Sequence, residues 1–307
     1  MKQPDRRREF QIAGASQTAA RLPAGLYLVA TPIGNLKDIT LRALETLAAA
    51  DVIACEDTRI SRRLLQHYAI DTPLTPYHEH NAAAVRPRLL EQIAGGAAIA
   101  LISDAGTPLI SDPGFKLVRE ARDAGLLVTA LPGASAVLTA LVSSGLPTDR
   151  FLFEGFLPAK ATARRARLTE LARIPASIVL YEGGSRIGQS LDDLAETFGA
   201  REAAICRELT KLHEEVRRDT LSALAKHYAG EAETRGEFAI VIAPPADEEP
   251  AGEADIDALI KAALQRGSVK DAVGEIVAAT GLPRRDVYQR VLTLAKEQDD
   301  GAEDSDA

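Results

Sequence analysis

Apolar residues along the chain come in two rhythms. Short uninterrupted blocks read as strands buried on both faces: GLYLVAT from Gly25 to Thr31, DVIAC at 51–55, AIALI at 98–102 and LLVTAL at 126–131. Between them, apolar positions recur at helical spacing. Leu41, Leu44, Leu47 and Ala48 share one face of DITLRALETLAAA, with Asp38 or Thr40 available as its cap. Further helices are expected through Arg62, Arg63 and Leu65, from the YHEHN string to about Ile93, and from Phe115 to about Ala124. This alternation predicts a mostly parallel sheet covered on both faces.

The rhythm is interrupted from Gly133 to Asp149. Ala134 to Ser144 is small and apolar and reads as a helix; Gly145-Leu146-Pro147-Thr148-Asp149 ends it. The β/α theme then resumes with FLFEGF at 151–156, a basic helix around Lys160 to Arg173, SIVLYE at 177–182, a helix from about Ile187 to Phe198, AAICRE at 203–208 and FAIVIAPP at 238–245. Pro244 to Ala254 is proline, glycine and acid with nothing to bury. Three helical patterns follow. Thr280-Gly281-Leu282-Pro283, between the last two, is a stop, turn and restart of helix-turn-helix type, with Arg284, Arg285 and Arg290 on the third helix. The expected division is a disordered tail at 1–24, α/β domains at 25–140 and 141–244, a linker at 245–254, a helical domain at 255–298 and an acidic tail at 299–307.

Composition narrows the class. With 307 residues, 46% of them hydrophobic, two or three cored domains are expected. No apolar run reaches the ~20 residues of a membrane span, and the Arg-rich N-terminus lacks the apolar block of a signal peptide. Cys55 and Cys206 lie inside apolar runs, as buried free thiols in a reducing cytoplasm would. The formal net charge of −8 argues against a nucleic-acid partner until its distribution is read. Six carboxylates fall within 247–257 and six within 297–306, with no Lys or Arg in either stretch, so the remainder carries a net +4. A mildly basic body with solvated acidic segments is compatible with RNA.

Several clusters carry candidate chemistry. The stretch from Ala97 to Gly114 places small residues, two carboxylates and three hydroxyls just past a buried strand, where open α/β sheets bind ligands. Asp104 and Asp112 suit metal or acid–base work, or else a counter-charge and a helix cap before Pro113. Gly34 and Asn35 allow backbone to approach a ligand closely, though structural turns use the same residues; neither a GxGxxG loop nor a P-loop is present. His78 and His80 would share one face if HEH were a strand, yet no further ligand stands at zinc spacing, so hydrogen bonding is preferred to metal. Glu208 to Glu215 is either an exposed charged loop or a site that recognises a hydroxyl. Lys160, Arg164, Arg165, Arg167 and Arg173 either follow a phosphate backbone or form a solvated helix face.

Taken in order, LYLVATPIGNLKDITLRALETL, ACEDTR, YHEHN, ISDAGTPLISDPG, LPGASA, SGLPTDRFLFEGFLP and RELTKLHEE closely resemble the ribosomal RNA small-subunit methyltransferase I family of the tetrapyrrole methylase superfamily. The resemblance runs from about Gly25 to Ala243. It implies two α/β domains with S-adenosyl-L-methionine in the cleft between them, followed by a small helix-turn-helix-like domain. It also implies a cytoplasmic homodimer acting on 16S ribosomal RNA in the small subunit, at the ribose 2′-hydroxyl of a cytidine in the decoding centre. Carried residue by residue, the cofactor role falls on Pro32, Gly34 and Asn35, on Ser103, Asp104, Ala105, Gly106 and Thr107, and on Pro132, Gly133 and Ser135. No metal is implied. Lys211, with Glu208 or Glu182, is the expected catalytic group. One departure stands out: YEGGSR at 181–186 replaces the usual YESPHR, so Ser185 occupies a histidine position while Glu182 and Arg186 remain. The competing readings are a methylase of a cyclic tetrapyrrole and a nucleic-acid-binding regulator that senses a metabolite.

Overall fold

The structure, a computed structural model, describes residues 8–229, 235–245, 253–280 and 282–303. Its first elements fall where a disordered tail was expected. β1 (Glu9–Ile12) and β2 (Ala15–Thr18) form an antiparallel hairpin whose turn, Ala13-Gly14, has φ of 48° and 82°. Two positive φ values suit the twist of a tight hairpin, and only Gly14 signals this in the sequence. The hairpin is held by Phe10, which is 3% exposed in the core, and by the Gln11 N–H donating to the Tyr68 carbonyl at 2.8 Å.

The first sheet is wholly parallel. β3 (Gly25–Val29), β4 (Val52–Cys55), β5 (Leu74–Pro76), β6 (Ala98–Leu101) and β7 (Val128–Leu131) lie in the order β5-β4-β6-β3-β7. On β6, Ala98 and Ala100 enter one core while Ile99 and Leu101 enter the other. Burial on both faces is why the strand is an unbroken apolar block. α1 (Leu41–Ala49) and α2 (Thr58–His67) cover one face; α3 (Ala82–Ala94) and α4 (Phe115–Asp123) cover the other. Thr40, not Asp38, caps α1, its hydroxyl accepting the Ala43 N–H at 3.1 Å.

The second sheet departs from the parallel expectation. α5 (Ala136–Ser143) leads into β8 (Phe151–Phe156), α6 (Ala161–Leu171), β9 (Ser177–Gly183), α7 (Ile187–Phe198), β10 (Glu202–Arg207), β11 (Glu215–Thr220), α8 (Leu221–Ala229) and β12 (Glu237–Ile242). The order is β11-β10-β12-β9-β8, and only β8 and β9 run parallel. Ile178, Leu180, Ile205 and Ile240 pack under α7 and α8, whereas Val179, Cys206, Ala239 and Val241 pack under α5. By packing, α5 therefore belongs to this sheet, and the chain changes sheets at 132–135, ahead of the expected boundary at 140/141.

The chain divides into two compact units at Pro244/Pro245, the start of the expected linker. The second unit is a three-helix assembly of α9 (Glu253–Leu264), α10 (Val269–Thr280) and α11 (Arg284–Glu303) around Ile260, Ile276, Val287, Val291 and Leu294. Helix α11 continues into the stretch expected to be an acidic tail, of which 304–307 lie outside the described residues. No described helix is long and apolar enough to cross a membrane.

Candidate active site

Parallel pairing brings the loops after β3, β4, β6 and β7 to one edge of the first sheet, and side chains stitch them together. The Thr31 and Gly106 backbones exchange two hydrogen bonds of 2.9 Å, and the Thr31 hydroxyl donates to the Ser103 carbonyl at 3.1 Å. The Ser103 hydroxyl donates to the Gly106 carbonyl at 3.0 Å. The Thr107 hydroxyl donates to the Ala134 carbonyl at 3.1 Å, tying the loop after β6 to the loop after β7. On the other side the Asp57 N–H donates to Asp104 Oδ1 at 3.0 Å. Gly106 has φ +81°, which favours glycine; a Cβ at Gly133 would stand 2.7 Å from that of Ala30. These glycines let loops approach one another.

Between this edge and the second sheet lies a cleft of about 450 Å³, within the range that encloses a cofactor-sized ligand. Of the cofactor residues carried over by resemblance, Asp104, Ala105, Gly106, Thr107 and Ser135 line it, as do the expected catalytic residues Glu182, Glu208 and Lys211. Pro32, Gly34, Asn35, Ser103, Pro132 and Gly133 are not among its lining residues. Ser135 also caps α5, its Oγ accepting the Leu138 N–H at 3.4 Å. Sequence reasoning missed the far wall, where Tyr181 and Phe156 meet at 5.6 Å between ring centroids beside Cys206 and Phe238. Alternation in SIVLYE puts Tyr181 on the face of Val179, but Phe156 reaches that side only through a bulge between Phe153 and Gly155, which alternation in FLFEGF does not announce.

The two walls differ in charge. On the first, burial raises the Asp104 carboxyl, with the Asp57 charge adding to it against the Asp57 N–H and the Arg59 charge. Asp112 is pushed up to about 6, by burial first and then by the charges of Glu56 and Asp104. It does not cap a helix: α4 begins after Gly114, and no side chain caps it. Burial lifts the Tyr181 hydroxyl to about 12 and the Cys206 thiol to about 11, so neither ionises near neutrality.

The opposite wall holds Lys211, whose Nζ donates to Glu208 Oε1 at 2.9 Å and Glu237 Oε2 at 2.7 Å. Burial lowers its pKa, but the two carboxylates outweigh burial and the net shift is upward. Burial works the other way on Glu208, yet Lys211 and the Glu237 N–H hold it below the usual range. The loop is bent at non-glycine positions, Glu208 (φ 51°) and Thr210 (φ 65°), and Leu109 (φ 74°) and Ser111 (φ 63°) do the same across the cleft. Such backbone is costly and concentrates at functional sites. Asn35 donates its N–H to Thr210 Oγ1 at 3.1 Å, so the first glycine turn touches the Lys211 loop directly.

Other candidates fall elsewhere. Glu182, on the row of β9 that packs under α7, is 3% exposed and accepts from Ser190 Oγ at 2.6 Å, Arg186 at 3.1 Å and the Gly183 N–H at 2.9 Å. Its carboxylate is thus a brace, not a partner of Lys211. HEH lies in a turn, not a strand; Asn81 closes that turn by accepting the His78 N–H at 2.9 Å and donating to the Pro76 carbonyl. The basic face of α6 is largely neutralised. Arg164 and Arg165 pair with Asp193, and Arg167 grips Glu154 through two nitrogens and Glu170 through a third. In the second unit Arg290 pairs with Asp257 at 2.7 Å, while Arg284 and Arg285 are exposed. Among the described residues no group of three or more His, Cys, Asp or Glu is placed to hold a metal.

Comparison with known proteins points in one direction. Residues 25–225 match the family of Tetrapyrrole (Corrin/Porphyrin) Methylases, and residues 250–295 match the RsmI C-terminal HTH domain. The chain is 49% identical over 292 residues to Ribosomal RNA small subunit methyltransferase I of Mesorhizobium japonicum, covering 94% of this chain and 99% of that one. It is 44% identical over 269 residues to the protein of the same name from Halalkalibacterium halodurans, covering 86% and 93%. Among solved structures, diphthine synthase superposes with a TM-score of 0.56 at 18% identity over 71% of this chain and 89% of that one. The cobalamin biosynthetic enzyme cobalt precorrin-4 methyltransferase gives 0.54 at 17% identity over 71% and 94%. These structural likenesses concern the fold.

Proposed function

The chain belongs to the ribosomal RNA small subunit methyltransferase I family within the tetrapyrrole methylases, and we propose that its cleft methylates the ribose 2′-hydroxyl of a cytidine in the decoding centre of 16S ribosomal RNA. The donor is S-adenosyl-L-methionine. The observation that carries this reading is the opposition of two half-buried carboxylates with raised pKa values, Asp104 and Asp112, to a fixed ammonium, Lys211, across a cleft of about 450 Å³.

The first wall suits the donor. A cation placed beside Asp104 and Asp112 offsets the burial that raises both pKa values and, at Asp112, the nearby charges of Glu56 and Asp104, and so favours the ionised carboxylates. S-adenosyl-L-methionine, when bound, supplies an electrophilic methyl group on a positively charged sulfur. The loops at 30–35, 102–107 and 132–135, bonded to one another, hold the first wall rigid, and alignment of this kind can supply ~7–11 kcal/mol of a barrier. The aromatic rings of Tyr181 and Phe156 give the cleft its apolar side.

The second wall suits the acceptor. Lys211 stays an ammonium at neutral pH, so it stabilises negative charge on the attacking oxygen and does not serve as the base. Glu208 and Glu237 aim it, and the bent backbone at Glu208 and Thr210 sets its origin. Glu182 supports the wall from behind.

Exposed Leu138, Val142 and Leu212, at 51%, 72% and 92%, favour a homodimer, and exposed Arg284 and Arg285 favour RNA contact by the helical unit. The setting is cytoplasmic. The test is methyl transfer from labelled donor to small ribosomal subunits from a strain lacking this gene, with a cyclic tetrapyrrole as the parallel acceptor. Transfer to subunit RNA that maps to a cytidine ribose and is lost in Lys211→Ala is expected. Transfer to the tetrapyrrole alone would reverse the reading.

A further inference from the structure

Beside the cleft lies a second, more open depression of about 420 Å³ lined by Glu56, Asp57, Thr58, Arg59, Pro76, His78 and His80. Asp104 lines both spaces, so it forms a shared wall. The EDTR and YHEHN strings, singled out in the sequence but given no part in the cleft, meet in this depression. The side-chain nitrogen His78 Nδ1 is buried there without a hydrogen-bond partner. The rings of His78 and His80 stand 6.0 Å apart at 64°, a partly exposed aromatic corner.

Helix α2 rises from the same place. Arg62 and Arg63 stand three and four residues beyond Arg59, about 60° to one side and about 40° to the other of its direction around the helix, and all three are exposed. Arg59 is held by Asp57 at 2.6 Å. The side chains of Arg62 and Arg63 have no hydrogen-bond or ion-pair partner among the described residues. The contrast with α6 matters. That helix carries as many arginines, but Arg164, Arg165 and Arg167 are all committed to carboxylates. On α2 the charge remains available to an outside anion.

We propose that this depression and the arginine face of α2 form the entry path of the RNA strand. Arg62 and Arg63 bind phosphates of the single strand, a nucleotide flanking the target seats against His78 and His80, and the target ribose passes Asp104 into the cleft. Phosphate contacts of this kind set register, and unstacked bases lie on aromatic side chains. Each lies three or four residues from Arg59 and so neighbours it on the helix surface, while Arg62 and Arg63 themselves diverge by about 100°, which suits phosphates on either side of Arg59. The path rests on the ribosomal RNA reading and deepens it by giving the substrate an approach.

The test compares full-length wild type with Arg62→Glu/Arg63→Glu, using unmodified small subunits and S-adenosyl-L-methionine. The expected result is a KM for subunits raised about tenfold or more, with kcat at saturation and donor affinity by calorimetry within twofold. The slope of log KM against log salt should fall by about 1.4, since two single-strand phosphate contacts are lost. Arg62→Lys/Arg63→Lys should restore most of the affinity, and His78→Ala/His80→Ala should raise KM without lowering donor affinity. An exposed charge reversal elsewhere, Arg119→Glu, should leave KM unchanged. Wild-type KM and salt slope in the α2 variant would overturn the path, as would an equal loss in Arg119→Glu. A wild-type protein that methylates no subunit RNA would instead overturn the function on which the path rests.

Discussion

Substituting Gly34 by alanine tests how the two walls of the cleft communicate. Gly34 does not have a positive φ, so alanine's backbone preferences are not at issue. The difficulty is contact. A Cβ there would stand 2.5 Å from Lys211 Cγ, 2.8 Å from Thr210 Oγ1 and 3.0 Å from the Leu209 carbonyl oxygen. One of the three is backbone, and the Lys211 side chain is held at its far end by Glu208 and Glu237. To restore ordinary contact the loops must part by about 1 Å, an overpacking that costs about 1–3 kcal/mol. At roughly 2–4 °C per kcal/mol, the first unit should melt about 5 °C lower. Displacing Lys211 by about 1 Å should also cost on the order of 100-fold in turnover. Differential scanning calorimetry and single-turnover methylation of subunits measure the two effects. The decisive comparison is a double-mutant cycle. In a Lys211→Ala background the Cγ is gone, so Gly34→Ala should destabilise distinctly less. Additive effects, or a Gly34→Ala protein with wild-type melting and turnover, would refute the loop contact as the reason for glycine.

Four further outcomes follow from the structure. Asp112 has a folded pKa of about 6 against an ordinary 3.8, so its contribution to stability is full below about 4 and is lost as pH rises through about 6; urea unfolding of Asp112→Asn should show a growing advantage over wild type across that window and a constant one above it. Because the donor is cationic, its affinity for wild type, read by calorimetry, should fall as pH drops below about 6, and Asp112→Asn should flatten this dependence. Arg164, 4% exposed with Nε 2.6 Å from Asp193 Oδ2, is nearly buried; Arg164→Met should cost about 3 kcal/mol by thermal denaturation, the lower end for a broken buried pair because Arg165 still holds Asp193. Glu182→Gln should lower stability by about 1–3 kcal/mol through weakened bonds to Arg186 and Ser190 while leaving turnover at 20 °C within about threefold.

What the sequence disclosed follows from what it must bury. β3, β4 and β6 were legible because both faces of each lie against cores, leaving apolar blocks; β7, an edge strand with Thr129 half-buried and Ala130 exposed, was legible from its buried Val128 and Leu131. β11 was not, since EVRRDT is an exposed edge strand whose pairing comes from backbone alone. The hairpin at 9–18 was hidden for the same reason, its burial resting largely on Phe10. In the cleft, the glycine turns were readable as turns, but not what they approach: Gly34 faces the Lys211 loop across the molecule. Asp112 looked like a cap because Pro113 suits a first helical turn; the helix instead starts two residues later and frees the carboxyl for the cleft. The bends at Leu109, Ser111, Glu208 and Thr210 carry no glycine or asparagine to announce them, since tertiary packing imposes their torsions. The basic stretch at 160–173 is one in which composition misleads, because its acidic partners come from Glu154 and Asp193, remote in sequence.

Helix α5 follows directly on the third loop of the first sheet yet is packed on the second. The two halves are therefore not interchangeable modules, and a cut at the Gly145–Asp149 turn would sever the chain after the segment the second half needs to finish its own core. Fragments ending at Ser144 would carry away Val137, Ala140 and Leu141 and leave Val179, Ala204 and Val241 bare to solvent. A split reporter or domain graft built from this scaffold has its workable junction at 133–134, a place that cuts through the cleft, so partition of the fold and preservation of the donor pocket are mutually exclusive.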